Sequence, residues 1–348
     1  MAQPCDGERH GKPGHAAVAP RNALRVSIDL RRICERIEET EDETSKMTYF
    51  RLAKENSYLM IEHNVSELSH VRLHYVEAAG PGPALLFVHG STGSHTSFLP
   101  FMLQLERHAH VYALDLRGHG LSGRAPGAYQ LPDYGRDVAA FVNKVVGGPV
   151  FVAGHSLGGL IALWLAAQHP DQVRGVFLED PPLYMTQLPR FGTTGFYQYF
   201  KHLSDFLPQH HAQRGTLDEM VEYVSRSPIN DQGQTLLEVA GAQAVAERAL
   251  QLHQLDPATL DPLLAGILLG PHAPDELLAQ VRCPVRLLAG QREAGGALDA
   301  QDVARAVGQL AHCEHTVFPG VGHMIHQERP DAYAQALIHF ITQEGGYS

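Results

Sequence analysis

The stretch VFVAGHSLGGLIAL, residues 150–163, passes from strand-forming residues to helix-forming ones with no loop between them. The only punctuation is a serine set among glycines, GHSLGG. Valine and phenylalanine suit a pleated, buried strand, and the leucine- and alanine-rich run after Gly159 suits a helix. A strand that becomes a helix within one residue holds that residue in a strained backbone conformation. Its side chain is then pushed out of the sheet. Gly154 and Gly158, two positions to either side of Ser156, permit the close approach this needs. The helix that follows brings free N–H groups and a positive dipole end beside the serine.

The rest of the chain reads as the sheet that such a turn requires. YLMIEH and VRLHYVE, from Tyr58 onward, flank a short polar stretch and predict a hairpin. ALLFVH (84–89), HVYALD (110–115), VFVAG (150–154), VRGVFLED (173–180), VRLLAG (285–290) and EHTVFPG (314–320) follow as strand signals. Continuous apolar runs such as ALLFVH are what a buried parallel strand needs. Helical patterns fall near 137–146, after Ser156, near 302–310 and over 330–341. This alternation predicts an α/β fold, with a mostly parallel central sheet flanked by helices.

Residues 181–281 break the alternation. They carry aromatics in FYQYFKHLSDFL and Leu/Ala-rich stretches, with no buried-strand run. A helical lid, or cap, over the strand C-termini is expected there. The core domain is then 56–180 and 282–348. Residues 1–55 read as a partly disordered N-terminal extension. Within it Ile28, Leu30, Ile33, Cys34 and Ile37 mark one helical face, followed by an acidic run from Glu38 to Glu43.

Composition narrows the function classes. A 44% hydrophobic content is enough for a real core, and a net charge of -11 argues against nucleic acid or an acidic membrane as partner. No apolar run reaches the ~18 residues of a membrane span, and the N-terminus lacks the apolar centre of a signal sequence. The four cysteines show no C-x-x-C spacing and read as reduced thiols, so a cytoplasmic setting is expected. The 22 histidines include the pair His210-His211, but none has H-E-x-x-H spacing. Neither a metal nor a cofactor is expected.

A serine is a weak nucleophile until a base takes its proton. The loop after the last strand, FPGVGHMIHQERP, offers His323 as that base, with His326 as a second candidate three residues on. Attack on a carbonyl creates an oxyanion, which needs donors already in place. The backbone N–H of Leu157 supplies one. The N–H of Ser91, in the loop HGSTGS after ALLFVH, is assigned as the other.

Four segments in this order, FVHGSTGS, ALDLRGHGLS, GHSLGG and FPGVGHMIHQERPDAY, resemble the α/β-hydrolase family over roughly residues 58–345. The resemblance implies that Asp115, Arg117, Gly118 and His119 shape the loop beside the site. It also implies an acid that orients His323. In that family the acid usually follows the strand after the lid, where this chain has Glu293. Some members use the end of the strand before the lid, which here is Asp180. The two are rivals, with Glu293 ranked slightly ahead. Asp299 and Asp302 lie further along the later loop. Relatives that form an ester intermediate by halide displacement or epoxide opening use an aspartate nucleophile, so Ser156 points to acyl transfer to water.

The reading is therefore a serine hydrolase of a small hydrophobic ester or lactone, with water as co-substrate and no cofactor. The same residues serve C–C bond cleavage of a β-diketone-like ring-fission product. A non-catalytic small-ligand receptor on the same fold is the alternative from outside enzymology. An amide hydrolase that holds an amine would need lid acids such as Asp205, Asp218, Glu219 or Glu222.

Overall fold

The computed structural model describes residues 46–51, 58–229 and 233–345. The helical face at 28–37, the acidic run and the disordered tail expected from the sequence lie outside the described residues. Among those described, one sheet has nine strands: β1 (Lys46–Arg51), β2 (Tyr58–Glu67), β3 (Arg72–Ala78), β4 (Ala84–Val88), β5 (His110–Leu114), β6 (Val150–His155), β7 (Val173–Glu179), β8 (Val285–Gly290) and β9 (Cys313–Phe318). Their spatial order is β1-β2-β3-β5-β4-β6-β7-β8-β9. The first three join as antiparallel neighbours, and all pairs from β5 across to β9 are parallel.

Strand β1 lies within residues 1–55, which the sequence reading takes as a partly disordered N-terminal extension, and no strand is expected there. It pairs with β2 in a register running from Lys46 opposite His63 to Arg51 opposite Tyr58. An edge strand has no continuous apolar run to announce it, because it pairs on one side only.

The central strands are apolar throughout because both faces are covered. Leu86, Val88, Val150, Val152, Val176 and Leu178 pack into one core. Their neighbours Leu85, Phe87, Phe151, Ala153 and Phe177 pack into the other. The first core is closed by α2 (Leu131–Phe141), α3 (Leu157–Gln168), α7 (Pro274–Gln280) and α8 (Ala300–Gln309). The second is closed by α1 (Leu99–Leu105) and α9 (Pro330–Glu344). Helix α3 is buried continuously from Leu157 to Ala166. It has no polar face to lose, so it is fixed from every side.

Between β7 and β8 the chain is helical. Helices α4 (Gly195–Ala212), α5 (Leu217–Arg226) and α6 (Leu236–Gln254) enclose a separate small core built on Leu203, Leu207, Met220, Val224, Val245, Ala249 and Leu252. We call this layer the cap. Helix α7, though it falls inside the segment 181–281, packs Leu277 and Leu278 into the main core and belongs to the body. No helix among the described residues is long and apolar enough to cross a membrane.

The fold is tight where α3 leaves β6. A Cβ placed on Gly158 would lie 2.0 Å from the carbonyl oxygen of Val88 in β4. Backbone cannot swing aside as a side chain can. Gly158→Ala is therefore expected to lose about 3 kcal/mol or more of stability through overpacking. The check is a denaturant midpoint that falls while the slope of the transition stays unchanged.

Candidate functional site

Ser156 stands between β6 and α3 with φ 53° and ψ −117°, a conformation an L-residue rarely adopts. Neighbouring bonds hold it there. Its N–H donates to the carbonyl of Glu179 at 2.9 Å, and its carbonyl accepts from Gly159 and Leu160 at 2.9 and 3.2 Å. The serine is 9% exposed, at the top of the sheet. The strained turn anticipated from GHSLGG is thus present.

His323 lies in the loop after β9, and its Nδ1 meets Asp180 Oδ2 at 2.6 Å. Asp180 is fully buried at the end of β7. Its carboxylate also accepts from the backbone N–H of Gly290 at 3.1 Å and of Ala297 at 2.7 Å. A carboxylate aimed by two backbone N–H groups fixes the imidazole as the Nδ1–H tautomer, with Nε2 free to accept a proton. This geometry reverses the ranking from sequence. Glu293 sits on an exposed turn, Arg292–Ala294, and makes no hydrogen bond to His323. The loop that carries it wraps around the Asp180 carboxylate instead of supplying its own. Asp299 and Asp302 form the capping box of α8, and both bind Arg190. His326, the second candidate base, is tied away from Ser156. Its backbone N–H and Nδ1 both meet the Glu179 carboxylate at 2.8 Å.

Among the described residues no hydrogen bond joins Ser156 Oγ to His323. Such bonds commonly tighten only when substrate arrives. Phe196 of α4 approaches the His323 ring from the cap, 5.0 Å between centroids.

The loop after β4 passes over the serine. A Cβ on Gly90 would lie 3.0 Å from Ser156 Cβ, so a side chain there would crowd the site. Among the described residues no group accepts from the next N–H, of Ser91, or from the N–H of Leu157 at the start of α3. Two buried histidines brace this loop. His89 donates from Nδ1 to the Gly90 carbonyl at 2.8 Å and accepts at Nε2 from Leu116 N–H at 3.0 Å. His119 donates to the Arg117 carbonyl at 2.9 Å and accepts from Thr92 N–H at 3.3 Å. Each uses both ring nitrogens, one as donor and one as acceptor, which only the neutral ring can do.

Sequence reasoning missed several groups. His155, inside the serine motif, donates from Nε2 to the carbonyl of His323 at 3.1 Å, and burial pushes its pKa well below the usual range. Glu247, Arg248 and Gln251 of α6 reach down to the loop after β4. None of these carried a motif; only the fold brings them in. The lid acids named from sequence are engaged elsewhere: Asp205 with Lys201, Glu222 with Arg226, and Glu219 in the capping box of α5. Two buried groups have the composition of a metal site, His74–His95–Asp115 and His155–Glu179–His326. In the first, Asp115 accepts from His74 Nδ1 at 2.8 Å and from His95 Nδ1 at 2.9 Å. Those bonds link β3, the end of β5 and the turn at His95.

A family profile described as "Alpha/beta hydrolase family" matches residues 85–336. A stretch of 105 residues is 38% identical to the 2-(acetamidomethylene)succinate hydrolase of Mesorhizobium japonicum, covering 30% of this chain and 38% of that protein. A stretch of 104 residues is 39% identical to the pimeloyl-(acyl-carrier protein) methyl ester esterase of Xylella fastidiosa, again 30% of this chain and 38% of that protein. The match thus spans under two-fifths of these curated relatives. Among solved structures, the enol-lactonase from Burkholderia xenovorans aligns with a TM-score of 0.63 at 16% identity, over 80% of this chain and 100% of that one. At that identity the likeness concerns the fold alone.

The neutral histidines make the site acid-sensitive. Burial lowers the pKa of His89 to about 4 and that of His119 to about 3. As pH falls, the unfolded chain takes up protons near 6.5 while the folded chain does not. The stability these groups give is therefore complete above about pH 6.5 and is lost as pH falls toward 4 and 3. For His89 alone the loss is on the order of 3 kcal/mol. His119→Gln keeps an acceptor for Thr92 N–H but cannot titrate. Its melting temperature is expected to fall less steeply between pH 6.5 and 4 than that of the parent protein, and parallel curves would count against the assignment.

Proposed function

The chain belongs to the alpha/beta hydrolase family, and from that premise we propose that it is a serine hydrolase cleaving a carboxylic ester or lactone of a small hydrophobic molecule. The observation that carries the reading is the 2.6 Å Asp180–His323 pair beside a serine held at φ 53°. Ser156 Oγ attacks the carbonyl carbon and its proton passes to His323 Nε2. Asp180 stabilises the imidazolium that forms. The oxyanion is received by the N–H groups of Ser91 and Leu157, since such charge needs donors held in place beforehand. His323 returns the proton to the leaving alkoxide, and the acyl-enzyme forms. Water, deprotonated by His323, then releases the acid and restores the serine.

Two of the named relatives support a hydrolytic reading: one is a methyl ester esterase and one a hydrolase of a succinate derivative. Phe196, facing His323 from the cap, gives the apolar part of a substrate a surface to lie on. The carboxylate-to-imidazole bond is the step where a conservative change tells most. Asp180→Asn leaves the shape but favours the wrong tautomer.

A reactive fluorophosphonate is expected to add once, at Ser156, with the adduct located by intact mass and peptide mapping; Ser156→Ala should abolish both labelling and ester turnover. Asp180→Asn should lower kcat by about 10⁴, whereas Glu293→Gln should stay within about twofold, as exposed substitutions do. Equal losses in the two variants would overturn the assignment of the acid. Turnover retained by a clean Ser156→Ala preparation would overturn the mechanism.

A further inference from the structure

Thr92 is the most constrained residue of the loop that carries Ser91. Gly90–Gly93 form a tight turn, closed by Gly93 N–H donating to the Gly90 carbonyl at 3.0 Å. Thr92, third in that turn, has φ 67°, and no other residue of the four has a positive φ. This is the pattern of a type II turn, which ordinarily demands glycine at the third position. A β-branched residue there is a genuine outlier. Such strain persists only when the surroundings over-determine it.

Those surroundings come from the cap. Arg248 Nη1 donates to the Thr92 carbonyl at 2.9 Å, and Nη2 donates to Thr92 Oγ1 at 2.7 Å. The same guanidinium donates to the Tyr199 hydroxyl on α4, which ties it to a second cap helix. Beside it, Gln251 Nε2 donates to Thr96 Oγ1 and to Ser97 Oγ, both at 3.1 Å, and Thr96 Oγ1 donates to Glu247 at 3.3 Å. From the body side, Thr92 N–H is held by His119. Thus every polar group of Thr92 is engaged, and the two contacts that reach across from another layer both belong to Arg248.

We propose that Arg248 is a positioning residue for the oxyanion hole: its fork on Thr92 holds the strained turn in which Ser91 N–H faces the developing oxyanion, so that seating the cap and completing the hole are one event. The proposal rests on the reading of Ser91 as an oxyanion donor. Without the fork, Thr92 relaxes toward negative φ, the turn opens, and Ser91, inside it, moves off line. Glycine at position 92 would hold the same turn with no help from the cap.

The test uses the full chain and two readouts. One is the rate of Ser156 labelling by a fluorophosphonate, whose phosphoryl oxygen needs the oxyanion donors. The other is hydrogen exchange of the peptide covering residues 90–98. Loss of an oxyanion donor lowers rates by about 10²–10³, so Arg248→Met, which displaces one, is expected to slow labelling by roughly tenfold to a hundredfold and to raise loop exchange. Arg248→Lys, with the stem and charge but no fork, should fall between. Adding Thr92→Gly to Arg248→Met should restore most of the rate. A structural role for Arg248 would not be rescued by a glycine in another layer. Unchanged labelling and unchanged exchange in Arg248→Met, or no recovery in the double variant, would overturn the proposal. A wild-type Ser156 that never labels would instead overturn the proposed chemistry, and loop exchange in Arg248→Met with and without Thr92→Gly would still decide the latch.

Discussion

The Asp180 carboxylate is the tie on which the upper edge of this sheet depends. It ends β7, yet its oxygens accept from Gly290 at the end of β8, from Ala297 in the loop beyond, and from His323 in the loop after β9. Its own N–H donates to Leu288. Three pieces of chain far apart in sequence, at 180, 288–297 and 323, are thus joined through one residue. A buried carboxylate is costly unless it is fully hydrogen-bonded, and here the bonds that satisfy it are the bonds that shape the site. Removing the acid would leave two backbone N–H groups without acceptors, as well as a histidine without direction.

The preceding residue does the same work on the other side. Successive strand residues face opposite ways, so Glu179 and Asp180 send their carboxylates to different places. Asp180 takes His323 and Glu179 takes His326. The spacing of HMIH therefore matches two adjacent acids at one strand end. Glu179 also receives the Ser156 N–H at its carbonyl, and His155 bonds the His323 carbonyl. The turn that carries Ser156 and the loop that carries His323 are thus fastened to each other.

The order of strands and helices was legible because buried parallel strands are continuous apolar runs and because GHSLGG between two such elements has few structural solutions. Ser156, His323 and the two N–H donors could be named as candidates from that turn and the chain order. A single candidate acid could not. Glu293 and Asp180 end neighbouring strands, and a sequence cannot say which of two adjacent strand ends turns its carboxylate inward. The answer lies in the loop Gln291–Ala297, whose backbone donors need an acceptor that a residue on an exposed turn does not provide. The cap side chains at 247, 248 and 251 were invisible for a different reason. Their partners in the loop after β4 lie some 150 positions away in the chain, and no local period records such a pairing.

Four described residues other than glycine have positive φ: Thr92, Ser156, Asp180 and Arg214. Three of them stand together at this one edge of the sheet. Strain of this kind costs of order 1–3 kcal/mol per residue and collects where the surrounding structure can hold it. Each of the three is held by a different means. Ser156 is fixed by α3, buried on all sides from Leu157 to Ala166. Asp180 is fixed by the backbone of β8 and the loop that follows it. Both supports belong to the rigid body. Thr92 is held from the body by His119 and from the cap by Arg248, so it is the one of the three whose strain is shared between the two layers.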